Sequence, residues 1–208
     1  MSIDAAVRAI EAGGVIAIPT DTVYGLACDP ANAAAVSRIY AIKRRPDRLE
    51  LTILAASAAN IEEDVDLTPA VQILAAAYWP GALSIVCNLR SRRWAVPRDG
   101  TTLSVRVPDH PIALELLRRT GPLATTSANR HGEPTADTAA GVAAALGTEV
   151  NLVLDGGPSA GLASTIIDCT TTTPRVLRDG PISATALLSL LGGFSATTNG
   201  GARSRDQH

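Results

Sequence analysis

Lys43 is the single lysine in a chain of 208 residues that otherwise writes its basic positions as seventeen arginines. It stands in "IKRRP", directly before Arg44 and Arg45. An ammonium is a compact point charge and a guanidinium a planar fork, so the exception marks a place where shape matters as well as charge. Other candidates cluster at the ends of apolar runs. Thr20 and Thr22 follow "VIAIP", Arg106 closes "TLSVRV", and Thr125, Ser127 and Asn129 lie in "TTSAN". Ser164 and Thr165 open "STIID", and Arg178 ends "PRVLR". Cations with many hydroxyls and no obvious base describe a site for phosphates and carboxylates. Taken singly, each has a plainer reading. Lys43 and Arg45 suit a helix C-terminus, Arg106 a strand surface, and Ser-x-Asn, Thr22 and Ser164 turns or caps. Only their joint placement at strand ends, where α/β sheets bind ligands, carries the functional reading.

Several chemistries are excluded. There is no GxGxxG after a strand and no GxxxxGK[ST], so no Rossmann or P-loop nucleotide site. No GxSxG elbow is present, and no histidine lies near a plausible nucleophile. Cys28, Cys87 and Cys169 are odd in number and far apart, against a disulfide framework or zinc site and for a reducing compartment. Aromatic content is 3% and the formal net charge is −2, against base-stacking platforms and a general nucleic-acid coat. "MSIDAAVRAIEAGG" has no apolar stretch of a signal peptide, and no apolar run approaches the roughly 18 residues of a membrane span. A cytoplasmic protein without membrane contact is expected.

The elements that must position these side chains alternate. Helices are predicted over 3–12, from an Asp29 N-cap with Pro30 to about Ile42, and over 68–78, 111–119, 136–146 and 182–191. Strands are predicted at 15–19, 51–56, 82–89, 102–107 and 123–126, then in "LVLD", "STIID" and "PRVLR". Mostly apolar strands between helices indicate an α/β fold with a well-covered sheet. One domain, 1–191, is expected, with an irregular, disordered tail over 192–208.

"IPTDTVYGLACD", "IKRRP", "WPGALSIV", "LSVRVPDHP", "TTSANRHGEPT", "STIID" and "VLRDGPI" together resemble the YrdC-like family of L-threonylcarbamoyladenylate synthases, over roughly residues 3–191. The resemblance implies a twisted mixed β-sheet flanked by helices around a basic concave cleft. It implies synthesis of threonylcarbamoyl-AMP and diphosphate from L-threonine, bicarbonate or CO2, and ATP with Mg²⁺. Partner proteins then pass the threonylcarbamoyl group to adenosine 37 of tRNAs reading ANN codons. Lys43, Arg45, Ser127 and Asn129 match the KxR…SxN set around the nucleotide phosphates and are the catalytic candidates. Thr102, Thr135 and Arg178 match further ATP positions, and Thr22, Arg106, Thr125 and Ser164 match threonine positions. No protein metal ligand is implied.

In "DRLELTILAA" the chain departs from the family, with Leu49, Glu50 and Leu54 where a polar ATP contact and a histidine are common. Glu50 is expected to turn away from the cleft onto Arg44 or Arg48. Two other readings stay open. One is a paralogue without this activity that binds a nucleotide or RNA. The other is a module for transfer or double-stranded RNA, bound weakly through the basic loop 90–98.

Overall fold

A computed structural model describes residues 2–44, 51–96 and 101–199, with side chains as far as Gly192. Side-chain caps start most of the helices. α1 (Ile3–Glu11) begins at Ser2, whose hydroxyl accepts from the Ala5 N–H at 3.3 Å. α2 (Ala33–Lys43) begins at Asn32, which accepts from Ala35 at 3.1 Å. α3 (Pro69–Tyr78) and α5 (Ala139–Leu146) are capped by Thr68 and Thr138. Each cap satisfies an N–H that the first turn leaves without an intrahelical partner. α4 (Pro111–Thr120) opens with a proline, which has no N–H to satisfy.

Some boundaries differ from expectation, among them the start of α5 at Ala139 rather than 136. Asp29 accepts from the Ala31 N–H at 2.8 Å in a local turn, so α2 starts at Asn32. α6 (Ala184–Asn199) runs through Gly192-Gly193, where an irregular tail was predicted to begin. Glycine inside a helix costs only about 1 kcal/mol against alanine, and two did not end this one. Residues 200–208 lie outside the described residues.

Among the described residues, nine strands form one mixed sheet, in the order β7-β1-β2-β6-β3-β5-β4-β8-β9. They are β1 (Ile16–Ile18), β2 (Gly25–Cys28), β3 (Thr52–Leu54), β4 (Leu83–Asn88), β5 (Thr102–Arg106), β6 (Leu123–Ser127), β7 (Leu152–Val153), β8 (Thr165–Asp168) and β9 (Arg175–Arg178). The pairs β1–β7, β3–β5 and β4–β8 are parallel and the others antiparallel. β2 was not expected, because its "GLAC" follows directly on a turn.

Strand alternation gives the sheet two unlike faces. On one, Leu26, Ile53, Leu83, Ile85, Leu103, Val105 and Ile167 are fully buried in a core shared with Val36 and Ile39 of α2 and Val71 and Leu74 of α3. Burying each such side chain contributes about 1.5–3 kcal/mol. The opposite face is covered only in part. α1 and α4 cover it with Val7, Ile10, Leu116 and Leu117 over Ile16, Ile18 and Leu123. Beyond them it carries hydroxyls and opens to a cavity.

Candidate functional site

The cavity, about 560 Å³, lies on that half-covered face. Register explains its composition. Thr52 pairs with Thr125 and Ser104, Gly25 with Ser127, and Leu54 with Arg106, so these residues share a face of adjacent strands. Ser84 of β4 continues the row toward Ser164 and Arg178 beside β8 and β9. The hydroxyls are tied to one another and to the backbone. Thr52 Oγ1 and Ser104 Oγ lie 3.0 Å apart, Ser84 Oγ and Ser164 Oγ 2.9 Å, and Thr125 Oγ1 donates to the Thr52 carbonyl at 2.9 Å. Two loops close the sides, with Pro134 and Thr135 on one and Gly161 and Ala163 on the other. They are joined where Ser159 N–H donates to Asp137 O at 2.8 Å, and Gly161 N–H holds the second loop to Thr22 O at 2.9 Å.

Among the described residues, two guanidiniums reach the cavity and no carboxylate lines it. Arg106 is 5% exposed, and three bonds fix its plane. Nε donates to Gly81 O at 2.9 Å, Nη1 to Thr22 Oγ1 at 2.8 Å, and Nη2 pairs with Asp21 Oδ1 at 2.5 Å. Of its five N–H groups, one on each terminal nitrogen remains for a ligand. Arg178 donates to Ser164 O from Nε at 3.0 Å and from Nη2 at 2.8 Å, and has no carboxylate partner among the described residues. Burial lowers the pKa of both, opposed at Arg106 by Asp21 and reinforced by Arg178. A guanidinium keeps its proton at neutral pH regardless, so Arg106 and Arg178 each bring a fixed positive charge to the cavity.

Lys43 is placed differently. It is the last residue of α2 and 2% exposed, and it does not line the cavity. Its ammonium donates to Ser127 O at 2.7 Å, Asn129 O at 2.9 Å and Asn129 Oδ1 at 2.9 Å, with Ser127 Oγ at 3.3 Å. The next residue, Arg44, ends the helix in the left-handed conformation at φ 51, uncommon for a residue with a Cβ.

A family model, Sua5_yciO_yrdC, described as "Telomere recombination", matches residues 8–180. The chain belongs to this Sua5/YciO/YrdC family. A Mycobacterium tuberculosis relative is 41% identical over 198 residues, 94% of this chain and 91% of its own. The threonylcarbamoyl-AMP synthase of Bacillus subtilis is 36% identical over 183 residues, 86% of this chain and 53% of that longer protein. The crystal structure of P. abyssi Sua5 "complexed with L-threonine" matches at TM-score 0.86 and 34% identity, over 91% of this chain and 57% of that one. The mixed sheet flanked by helices is thus the Sua5/YciO/YrdC fold.

Of the residues singled out from sequence, Thr22, Arg106, Thr125, Ser127, Thr135, Ser164 and Arg178 meet in the one cavity. Thr102 shares their face but opens β5, four residues from Arg106 and so about 13 Å along the strand. Lys43 and Asn129 sit behind Ser127 rather than in the cavity wall. Arg45, Leu49 and Glu50 lie outside the described residues, as does Arg48. Leu54 lines the cavity beside Arg106. Asp21, Thr52, Ser84 and Ser104 were not singled out. The signal of the last three is a hydroxyl between apolar residues of a strand, as in "LTIL" and "LSVR", a pattern ordinarily read as a solvated face. In the basic loop, Arg90 pairs with Asp66 at 3.0 Å and Arg93 with the buried Asp64 at 2.5 Å, so two of its cations are already matched.

Proposed function

We propose that the chain is an L-threonylcarbamoyladenylate synthase, and that its product feeds threonylcarbamoyl transfer to adenosine 37 of tRNA by partner proteins. The observation that carries this is the single cavity combining Arg106, Arg178 and a hydroxyl row, in a chain of this family. Threonine occupies the Arg106 end. Its carboxylate meets the two remaining guanidinium N–H groups, with Thr22, Thr125 and Ser164 around it. ATP takes the side of Ser127, Thr135 and Arg178, with Lys43, Arg45, Thr102 and Asn129 completing the nucleotide set. Bicarbonate supplies the carbamoyl carbon.

Threonine's amine captures CO2 as a carbamate and releases a proton. A carbamate oxygen then forms a bond to the α-phosphorus of ATP while the bond to the β-phosphate oxygen breaks, and diphosphate departs with that electron pair. The nucleophile is already anionic, so the chain needs no strong base at this step. It must hold two anions in line and offset the repulsion between them, which two fixed guanidiniums and pinned hydroxyls can do without reorganising. Among the described residues no three His, Cys, Asp or Glu side chains converge to hold a metal. Magnesium fits as a companion of ATP, carried on its phosphates.

The test is diphosphate release from ATP with threonine and bicarbonate supplied together and omitted in turn. Release that depends on both is expected. Release indifferent to threonine overturns the reading.

A further inference from the structure

We infer that Lys43 is a positioning residue of the nucleotide side, acting through Ser127 and Asn129 without touching the nucleotide itself. The inference rests on the proposed function for the identity of the ligand, but the geometry is independent of it. Among the described residues the ammonium faces four oxygens of two residues, two carbonyls and two side-chain atoms, at 2.7–3.3 Å. Lysine can only donate, so the atom of the Asn129 amide turned toward it must be Oδ1. That leaves Nδ2 to donate to Glu133 O, at 2.5 Å, on the loop that carries Pro134 and Thr135 into the cavity wall. Ser127 Oγ in turn lies 2.5 Å from Asn129 Oδ1 while lining the cavity. A continuous run of bonds therefore leads from Lys43 through Asn129 to the cavity loop and the Ser127 hydroxyl. The α2 carbonyl of Lys43 adds a second tie, accepting from His131 N–H at 2.9 Å.

The cage also explains why arginine does not stand here. Its oxygens lie within 2.7–3.3 Å of one nitrogen, a compact point charge with three N–H donors. A planar guanidinium spreads its donors over a wider fork and would have to displace the Ser127-Ala128-Asn129 turn. Lys43 is thus kept for shape at a buried point.

The test is a double-mutant cycle on ATP affinity with Lys43→Met, Asn129→Ala and the pair, read alongside threonine affinity and thermal melting. Each single change is expected to weaken ATP about tenfold or more, and the double change to be no worse than the weaker single within about twofold. Threonine affinity should stay within threefold throughout. Losses that multiply in the double variant overturn the inference, because a direct contact with the nucleotide would add its own share. Should Lys43→Met fail to fold, Lys43→Arg takes its place in the cycle. An Arg variant with native ATP affinity would also overturn the inference, since the charge alone would then suffice. Native protein that binds no ATP sinks the functional reading and this inference with it. Multiplying losses in a native protein that does bind ATP sink the inference alone.

Discussion

Arg106→Ala separates the two ends of the cavity most cleanly. The guanidinium is 5% exposed and its plane is fixed by Gly81 O, Thr22 Oγ1 and Asp21. Truncating one partner of a buried charge pair costs about 2–5 kcal/mol, much of it from the charge left behind. At the bound carboxylate a loss of about 3 kcal/mol, within that range, is roughly a 150-fold loss of threonine affinity. Asp21 loses the same partner, but its side chain is 17% exposed and keeps the Asp109 N–H at 3.0 Å, so water takes over part of the role. Folding stability should therefore fall by no more than about 1–3 kcal/mol. ATP, held at the Arg178 end, should weaken less than tenfold. Titration calorimetry with each ligand alone measures both numbers. An ATP defect larger than the threonine defect would refute the assignment of Arg106 to the carboxylate.

Arg178→Ala should show the converse, with ATP affinity falling at least tenfold and threonine affinity little changed; equal losses in calorimetry would contradict the division of the cavity. Serine should react less efficiently than threonine by at least about fivefold in kcat/KM, because Leu54, Val23 and Ile166 supply the cavity's apolar contacts and a lost methyl costs about 1 kcal/mol or more. Asp64→Ala should destabilise the chain by about 1–3 kcal/mol in denaturant melts while leaving both ligand affinities alone, since its buried carboxylate accepts from Ser91 and Arg93 away from the cavity. Burial pushes the Cys28 and Cys169 thiols from 9.0 up to about 12, and Cys87 is raised as well. The folded chain then holds these protons more tightly than the unfolded one, so this contribution is fully present below pH 9 and is lost as pH rises toward 12. Melting temperature should drop steeply across that window, and Cys→Ala variants should flatten the drop.

Much of the fold was legible because strands and helices here differ in kind. Most of the strands are short apolar runs, and α1 to α5 are bounded by Ser, Asn, Thr or Pro at their starts. β2 escaped because four residues directly after a turn are too short to show a period. The start of α2 was displaced because Asp29 and Asn32 are equally good caps by type, and only the local turn at Ala31 decides between them. Most of the cavity wall was visible as hydroxyls and arginines at strand ends. What remained hidden depends on register: Thr52 and Ser84 face the cavity only because their neighbours across the sheet leave that face uncovered. Lys43 could be recognised as exceptional from composition, but its cage consists partly of backbone carbonyls, which have no letter of their own.

The two unlike faces of the sheet also separate durability from selectivity. In β3, β4, β5 and β6, Ile53, Ile85, Val105 and Ala124 belong to the packed core, and their chain neighbours Thr52, Ser84, Arg106 and Thr125 line the cavity. A hydroxyl at 52, 84 or 125 can therefore be exchanged for another small side chain without removing a methyl group from the core. The scaffold could accept a differently shaped ligand through a handful of such exchanges, most cheaply where the hydroxyl's hydrogen bonds are kept. An insertion or deletion of one residue within any of these strands has the opposite effect. It carries leucines into the cavity and hydroxyls into the core in a single step, and a chain so altered loses its fold and its site together.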